Sequence, residues 1–320
     1  MTTRLIDVHA HFLTDDYRKA MSDAGVRNID GFPVPAWDVS KALDDMDSSG
    51  IETAMLSISA PGIEFVPSSA SRALARKVNE EQATFVSDHP RRFGGLALLP
   101  LPDIDGALQE LEYALETLKL DGVVLFSNIS GIYLGDKRLD PIFAELHRRK
   151  TAVFVHPVAP PGFDIASLGF PAPALEFPFE TARMMMNIIA SGTVRRYPEV
   201  RMIVAHGGGA ASVLAPRISR NLVRFGQLNP ALTAEEVSAA FRWFYYDMAA
   251  VSHSNAIDAV LTLAPATRLL FGSDHPFILQ NVISEGIEFI LSSEKINEAT
   301  RARLCNENAR ELFPRLNRID

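Results

Sequence analysis

Short apolar runs of strand length recur along the whole chain and alternate with stretches of helical periodicity. The runs are apolar at consecutive positions, which is typical of parallel strands that are buried on both faces. Eight such strands are predicted, at residues 5–11, 53–59, 94–101, 122–127, 152–156, 202–206, 244–250 and 269–273. Eight strands that alternate with helices predict a closed (β/α)8 TIM barrel.

The intervening stretches agree with this interpretation. Residues 37–49, 104–118 and 141–149 carry apolar side chains at helical spacing. An open doubly wound sheet is the alternative, but it usually has a glycine-rich phosphate loop after its first strand, whereas here that strand ends in histidines. Two segments rich in proline and glycine, 25–37 and 157–178, follow the first and fifth strands. We expect both loops to cover the mouth of the barrel.

The amino-acid composition excludes some classes of partner and of cellular location. The 320 residues include 39 acidic and 31 basic side chains, for a net charge of −8, which argues against nucleic-acid and anionic-membrane partners. The single cysteine, Cys305, excludes an intramolecular disulfide. No secretory h-region or membrane-spanning run is present. We therefore expect one domain over residues 1–320 in a soluble cytoplasmic protein.

Candidate chemistry begins at the end of the first strand. His9 and His11 are two positions apart, so their imidazoles point to the same side of the strand, into the barrel. Two imidazoles on one face suit a divalent ion such as Zn²⁺. A lone His-x-His pair is a weak signal, because two polar residues at a strand end need no metal.

Three further strands also end in metal-binding or proton-transferring groups. His156 ends the fifth strand, His206 ends the sixth, and Asp274 follows the eighth. The active sites of these barrels are built at the carboxyl ends of the strands, so all five side chains are expected at one face. This shared location favours a catalytic site over five separate structural roles.

The pattern resembles the amidohydrolase superfamily over nearly the whole chain. His-x-His on strand one, histidines on strands five and six, and aspartate on strand eight are that superfamily's signature. The His-Gly-Gly-Gly run at 206–209 and Phe-Gly-Ser-Asp-His-Pro at 271–276 resemble the aminocarboxymuconate-semialdehyde decarboxylase family more narrowly. That family also contains non-oxidative decarboxylases of hydroxybenzoates. Residues 30–37 are similar to its salicylate and 6-methylsalicylate branch.

The resemblance implies one divalent metal ion, held by His9, His11, His156 and Asp274. Binuclear members use a carboxylated lysine on strand four, but residues 122–127 contain no lysine. The resemblance also places His206 outside the ligand set, as an acid or base. Zn²⁺ is the expected ion, and Mn²⁺ and Mg²⁺ are alternatives.

The implied activity is decarboxylation of a small aromatic or unsaturated carboxylic acid, such as a hydroxybenzoate or aminocarboxymuconate semialdehyde. Asp274 is the first candidate for the acid that protonates the ring carbon, and His206 would hold or replenish that proton. For the semialdehyde, a metal-bound hydroxide activated by His206 would add first. The alternative enzyme is a lactonase or amidohydrolase that uses a metal-bound water. A binding protein without turnover is the remaining class.

Three residues are candidates for substrate binding. By resemblance, Arg217 reaches the active site of a neighbouring subunit and pairs with the substrate carboxylate, which implies a homodimer or larger assembly. A solvated helix charge is the alternative. Phe126 at the end of strand four is expected to line the pocket, with core packing as the alternative. Trp37, beside the first loop, is a candidate for stacking on an aromatic ring, whereas Asp247 is expected to make structural hydrogen bonds.

Overall fold

The computed structural model describes residues 4–228, 231–251 and 253–318. Eight parallel strands form one sheet in which each strand pairs with the next along the chain. They are β1 (Leu5–His11), β2 (Ile51–Ser57), β3 (Phe93–Leu98), β4 (Gly122–Phe126), β5 (Ala152–His156), β6 (Arg201–Val204), β7 (Tyr245–Asp247) and β8 (Leu269–Leu270).

Hydrogen bonds between β1 and the segment just after β8 close the sheet into a barrel. The Val8 amide donates to the Phe271 carbonyl across 3.0 Å, and the Asp274 amide donates to the His9 carbonyl across 2.7 Å. The predicted (β/α)8 fold is therefore confirmed. The hydrogen bond between Asp274 and His9 holds the backbone after β8 next to the end of β1.

Helices surround the barrel. The chain contains α1 (Asp15–Asp23), α2 (Val39–Ser49), α3 (Ser68–Asp88), α4 (Ile104–Glu112), α5 (Asp140–Arg149), α6 (Phe163–Ala166), α7 (Glu176–Ser191), α8 (Thr193–Arg196), α9 (Ala211–Arg224), α10 (Ala234–Ala240), α11 (Ser254–Leu263), α12 (Gln280–Ser292), α13 (Glu298–Ala302) and α14 (Asn308–Leu312). Single π-helical turns at Tyr113–Thr117 and Arg303–Glu307 extend α4 and join α13 to α14. No helix among the described residues is long and apolar enough to cross a membrane.

Local sequence sets the ends of these elements. Asp38 caps α2 by accepting a hydrogen bond from the Lys41 amide across 2.9 Å, which satisfies an amide that the helix itself leaves unpaired. Gly50 ends the same helix in the left-handed conformation, at φ 69°, where glycine has no steric penalty. β2 begins at the next residue, so a one-residue turn joins helix to strand.

Strand boundaries agree with the prediction for some strands and differ for others. β1 and β5 have the predicted bounds, whereas β7 and β8 are shorter than the predicted 244–250 and 269–273. The apolar run continues past each strand into a buried loop, so hydrophobicity overstates strand length there. At Asp274 the chain adopts φ 59°, which is incompatible with strand geometry. Cys305 is buried, as its amphipathic context predicts.

The two loop segments contain short elements of their own. The first forms a hairpin from the strands Asn28–Ile29 and Phe32–Pro33, and the second includes α6. The loops contact each other, because the Ala172 amide donates to the Asp30 carbonyl across 2.9 Å. Both lie over the carboxyl ends of the strands, as predicted, and both line the cavity described below.

Candidate metal centre and active site

Four predicted ligands converge inside the barrel. One ligand atom from each of His9, His11, His156 and Asp274 lies within 4.8 Å of all the others, and all four residues are buried. The alternation of β1 places both of its histidines on the inner face. His156 reaches the same point from the end of β5, and Asp274 reaches it from the loop after β8.

The Nδ1 atom of each histidine faces an oxygen acceptor. The pairs are His9 with Asp247 Oδ2 at 3.1 Å, His11 with the Ser57 carbonyl at 3.3 Å, and His156 with the Pro157 carbonyl at 2.7 Å. Because a carboxylate or a carbonyl can only accept, Nδ1 carries the proton in each ring. When these rings are neutral, each directs an Nε2 lone pair into the centre, which is the arrangement of metal-ligating histidines whose other nitrogen is hydrogen-bonded.

These lone pairs meet at short distances. His9 Nε2 and His11 Nε2 are 3.0 Å apart, and Asp274 Oδ1 lies 3.3 Å from the first and 3.2 Å from the second. Asp274 Oδ1 is buried, yet it accepts no hydrogen bond of acceptable geometry from the described residues. Electron-pair donors that crowd together without protons repel one another unless a cation lies between them. The donor set of three imidazoles and one carboxylate fits a divalent ion.

The pKa values of the ligands are consistent with this fit. Burial lowers the pKa of His11 and lowers that of His156 well below its ordinary value, so both rings are neutral, as metal ligands must be. Burial raises the pKa of Asp274, but the neighbouring histidines outweigh it and hold that pKa well below its ordinary value. For His9, burial is outweighed by Asp247 and Asp274, which raise its pKa to about 10. A metal ion must therefore displace a proton from His9.

The glycine run after β6 shapes the backbone around His206. His206 itself has φ 56°, and its amide donates to Asp247 Oδ1 across 3.2 Å. At Gly209 a Cβ atom would lie 2.2 Å from the Pro178 carbonyl oxygen, so only glycine allows the first turn of α7 to approach this closely. The run thus brings Pro178 over the end of β6, next to His206.

His206 lies beside the four-residue cluster rather than within it. Its Nε2 is 3.3 Å from Asp274 Oδ2, while Asp274 Oδ1 faces His9 and His11. One carboxylate oxygen therefore belongs to the donor set, and the other contacts His206. His206 Nδ1 is buried without a hydrogen-bond partner among the described residues. This geometry is compatible with proton exchange between His206 and Asp274.

A cavity of about 450 Å³ opens above the cluster. Among the described residues, the polar side chains that line this cavity are those of Ser59, His156, His206 and Asp274, which form its floor. The remaining walls are apolar or backbone and comprise Ile29, Phe32, Pro173, Phe177, Pro178, Gly209, Ala210, Ala250, Val251, Phe277 and Ile278. No lysine or arginine of the described residues lines this cavity. The positive charge that pairs with a substrate carboxylate would therefore lie at the cavity floor or come from another chain.

Two aromatic candidates lie elsewhere. Phe126 packs against Gly62, whose Cβ would lie 2.5 Å from the ring, and lines a separate small cavity. Trp37 packs between Phe12 and Phe85, with ring centroids 6.0 and 5.4 Å away, on the outer side of the barrel wall. Neither side chain is among the described residues that line the cavity above the metal-binding cluster. The hairpin turns the chain back before residue 37, so Ile29 and Phe32 reach the mouth instead.

Arg217 is exposed on α9 and does not line the cavity of its own chain. Asp247 makes the expected hydrogen bonds, but sequence reasoning missed that its partner is the ring of His9. Ser57 and Ser59, which contact His11 and His156, were also missed. Their position at or just after the end of β2 was the available signal, because carboxyl ends of barrel strands carry site residues.

Comparison with known proteins identifies the family. The amidohydrolase family profile matches residues 6–315. The chain belongs to the amidohydrolase family. Among curated relatives of this amidohydrolase, the 6-methylsalicylic acid decarboxylase of Penicillium expansum is 34% identical and covers 98% of this chain and 97% of its own. The 2-amino-3-carboxymuconate-6-semialdehyde decarboxylase of Dictyostelium discoideum is 30% identical over 75% of this chain and 66% of its own.

Solved structures confirm the fold. The amidohydrolase superposes on the 5-carboxyvanillate decarboxylase of Sphingomonas paucimobilis with a TM-score of 0.87 and 24% identity, covering 98% of this chain and 99% of the other. A dihydroxybenzoic acid decarboxylase from Polaromonas, with bound manganese and 2-nitroresorcinol, gives a TM-score of 0.83 at 24% identity, covering 98% and 97%.

Proposed function

We propose that this amidohydrolase is a metal-dependent, non-oxidative decarboxylase of small aromatic carboxylic acids of the hydroxybenzoate type. The proposal rests on the two contacts of the Asp274 carboxylate. Asp274 offers one carboxylate oxygen to the metal-binding cluster and the other to His206, at the floor of an apolar cavity. The activities named for the relatives support the same chemistry, since 6-methylsalicylate and 2-amino-3-carboxymuconate semialdehyde are unsaturated carboxylic acids.

The proposed cofactor is one divalent ion held by His9, His11, His156 and Asp274. When bound, it would hold the substrate carboxylate and the adjacent oxygen and stabilise developing negative charge. β4 carries no lysine that could bridge a second ion. Zn²⁺ is our first candidate because three imidazoles suit it, and Mn²⁺ is the second because a structural neighbour binds manganese.

The protein's own residues orient the ring and deliver a proton. The apolar walls exclude water and accept a flat ring above the polar floor. His206 Nε2 passes a proton to Asp274 Oδ2, 3.3 Å away, and Asp274 delivers it to the ring carbon that bears the carboxylate, which forms the new carbon–hydrogen bond. The carbon–carbon bond then breaks, its electron pair restores the aromatic ring, and carbon dioxide leaves. The carboxylate and one proton thus give a ring carbon–hydrogen bond and neutral carbon dioxide, so atoms and charge balance.

We further propose that the working unit is a homodimer or larger and that Arg217 acts in the neighbouring subunit. The cavity lacks a basic side chain from the described part of its own chain, whereas Arg217 is exposed on α9. Ala210, just before that helix, lines the cavity, and Val213 within it is 74% exposed. An exposed apolar side chain beside the cavity mouth, on the helix that carries Arg217, favours a protein contact there.

The test is release of carbon dioxide by protein reconstituted with Zn²⁺ or Mn²⁺. The substrates are salicylate, 6-methylsalicylate, 2,6-dihydroxybenzoate and aminocarboxymuconate semialdehyde, and simple lactones serve as controls for hydrolysis. Release that requires metal and is lost in His206→Ala is the expected result. Lactone opening without carbon dioxide release from any acid would instead identify a hydrolase that uses the same donor set.

A further inference from the structure

The hairpin formed by Asn28–Ile29 and Phe32–Pro33 covers the substrate cavity from above. Ile29 and Phe32 both contribute to the cavity lining, and Ile29 is almost completely buried. The polar part of the same lining consists of Ser59, His156, His206 and Asp274, which lie at or just after the carboxyl ends of barrel strands, whereas Ile29 and Phe32 belong to the hairpin over those ends. A ring whose carboxylate is held at the floor therefore directs its far edge toward these two side chains.

The hairpin is fastened to the loop after β5. Asp30 accepts hydrogen bonds from the Ala159 amide through Oδ2 at 3.0 Å and from the Ala172 amide through its carbonyl at 2.9 Å. Gly31 has φ 89°, and a Cβ there would lie 2.9 Å from Pro171 Cα. This close approach requires glycine. The distance between the hairpin and the floor is therefore set by backbone contacts on both sides of Asp30.

Aromatic contacts connect the hairpin to the metal-binding floor. The Phe32 ring packs edge-on against Phe277, with centroids 5.9 Å apart, and Phe277 packs edge-on against His11 at 5.5 Å. These T-shaped contacts favour fixed ring orientations. Phe32 is thus held at a defined height above the ligand cluster rather than being free to rotate away from it.

Among the described residues, none on the hairpin side of the cavity lines it with a polar side chain. Ile29, Phe32, Phe277 and Ile278 present only hydrocarbon to it. A hydroxyl group placed there would lose its hydrogen bonds to water without replacement, at a cost equivalent to about a tenfold loss of affinity or more. A buried methyl group would gain affinity by about fourfold.

From these contacts we infer that Phe32, supported by Ile29, determines which ring substituents the enzyme accepts. The inference rests on the proposed function, because it assumes that the carboxylate binds at the floor. It assigns the substrate to ortho-hydroxy aromatic acids whose far edge carries only hydrogen or a small alkyl group. It excludes acids with a hydroxyl or a long alkyl group at that edge. The role is one of specificity and is separate from proton transfer at Asp274 and His206.

The test measures binding of phenols, which are the products of such decarboxylations, to Mn²⁺-loaded protein by titration calorimetry. The probes are 3-methylphenol, 3-propylphenol and resorcinol. In the unmodified protein, 3-methylphenol should bind more tightly than either of the others, by about tenfold over resorcinol. Phe32→Ala should improve binding of 3-propylphenol relative to 3-methylphenol by about tenfold, because two more methylenes gain space. Gly31→Ala should weaken the same discrimination by displacing the hairpin.

The matched control is Phe170→Ala, because Phe170 lies in the adjoining loop, is 66% exposed and does not line the cavity. This variant should leave all three dissociation constants unchanged. Equal metal content in every variant shows that each variant retains the folded metal site. An unchanged ratio of propylphenol to methylphenol affinity in Phe32→Ala would overturn the inference. Carbon dioxide release in the unmodified enzyme is measured in parallel. Its absence, with the Phe32-dependent ranking intact, would refute the proposed function while upholding the role of Phe32.

Discussion

Asp247 Oδ2 accepts a hydrogen bond from His9 Nδ1 across 3.1 Å, and both side chains are completely buried. The other oxygen of the same carboxylate accepts the His206 amide across 3.2 Å. One buried carboxylate at the end of β7 therefore orients both a metal-ligand candidate and the backbone of the proposed proton carrier. Residues that support ligating histidines in this way tune metal affinity without touching the metal.

Asp247→Asn should lower metal affinity by about 10- to 100-fold, because an amide is a weaker acceptor for the His9 ring and can present the wrong group. Competition with a fluorescent chelator measures the dissociation constant directly. Asp258→Asn is the matched control, since Asp258 pairs with Lys295 at the surface. Equal affinities in Asp247→Asn and the unmodified protein would show that the hydrogen bond to His9 does not tune the site.

His206→Ala should retain the metal ion and lose carbon dioxide release by about 10²- to 10⁴-fold, which is the usual contribution of a positioned acid or base. The reason is geometric, because His206 Nε2 contacts Asp274 Oδ2 and lies outside the four-residue cluster. Elemental analysis of the purified variant and a single-turnover assay test the two halves separately. Loss of metal from this variant would place His206 among the ligands.

Metal should stabilise the folded protein through His9 and His11. At free metal about a thousandfold above the dissociation constant, the free energy of unfolding should rise by about 4 kcal/mol. The double variant His9→Ala/His11→Ala should lose this response, because it removes two of the four donors. Thermal unfolding with added Zn²⁺, Mn²⁺ or chelator measures the shift. His147→Ala, on α5, should behave like the unmodified protein, and a metal-dependent shift that survives in the double variant would contradict the assigned site.

The candidate ligands could be predicted from sequence because strand geometry fixes where they point. A period of two places His9 and His11 on one face, and barrel topology brings the ends of β5 and β8 to the same level. Strand identity placed these residues at one face, but the choice of His9, His11, His156 and Asp274 as ligands, with His206 outside the set, came from the resemblance to the amidohydrolase superfamily. The same logic predicted the barrel itself, including strands such as β1 whose bounds match.

The cavity walls could not be predicted in this way. Phe126 and Trp37 are aromatic residues near the correct strand ends, yet packing against Gly62 and between Phe12 and Phe85 takes them out of the cavity. Loop residues have no fixed side-chain period, so their direction depends on contacts with distant segments. Phe32 reaches the cavity only because the hairpin folds back onto the loop after β5. Its role depends on Gly31 approaching Pro171, which sequence spacing does not reveal.

Pairing between subunits can be tested with two inactive variants. If Arg217 acts in the neighbouring active site, a mixed dimer of Arg217→Ala and His206→Ala chains contains one intact site and one site with both defects. That dimer, isolated with two affinity tags, should regain about half of the normal rate, because a two-fold symmetric dimer has two equivalent sites. Each parent homodimer should remain inactive. Arg220→Ala, which is also exposed on α9, is the matched control and should keep full activity as a homodimer. A mixed dimer as inactive as its parents would show that Arg217 does not complete the partner's site.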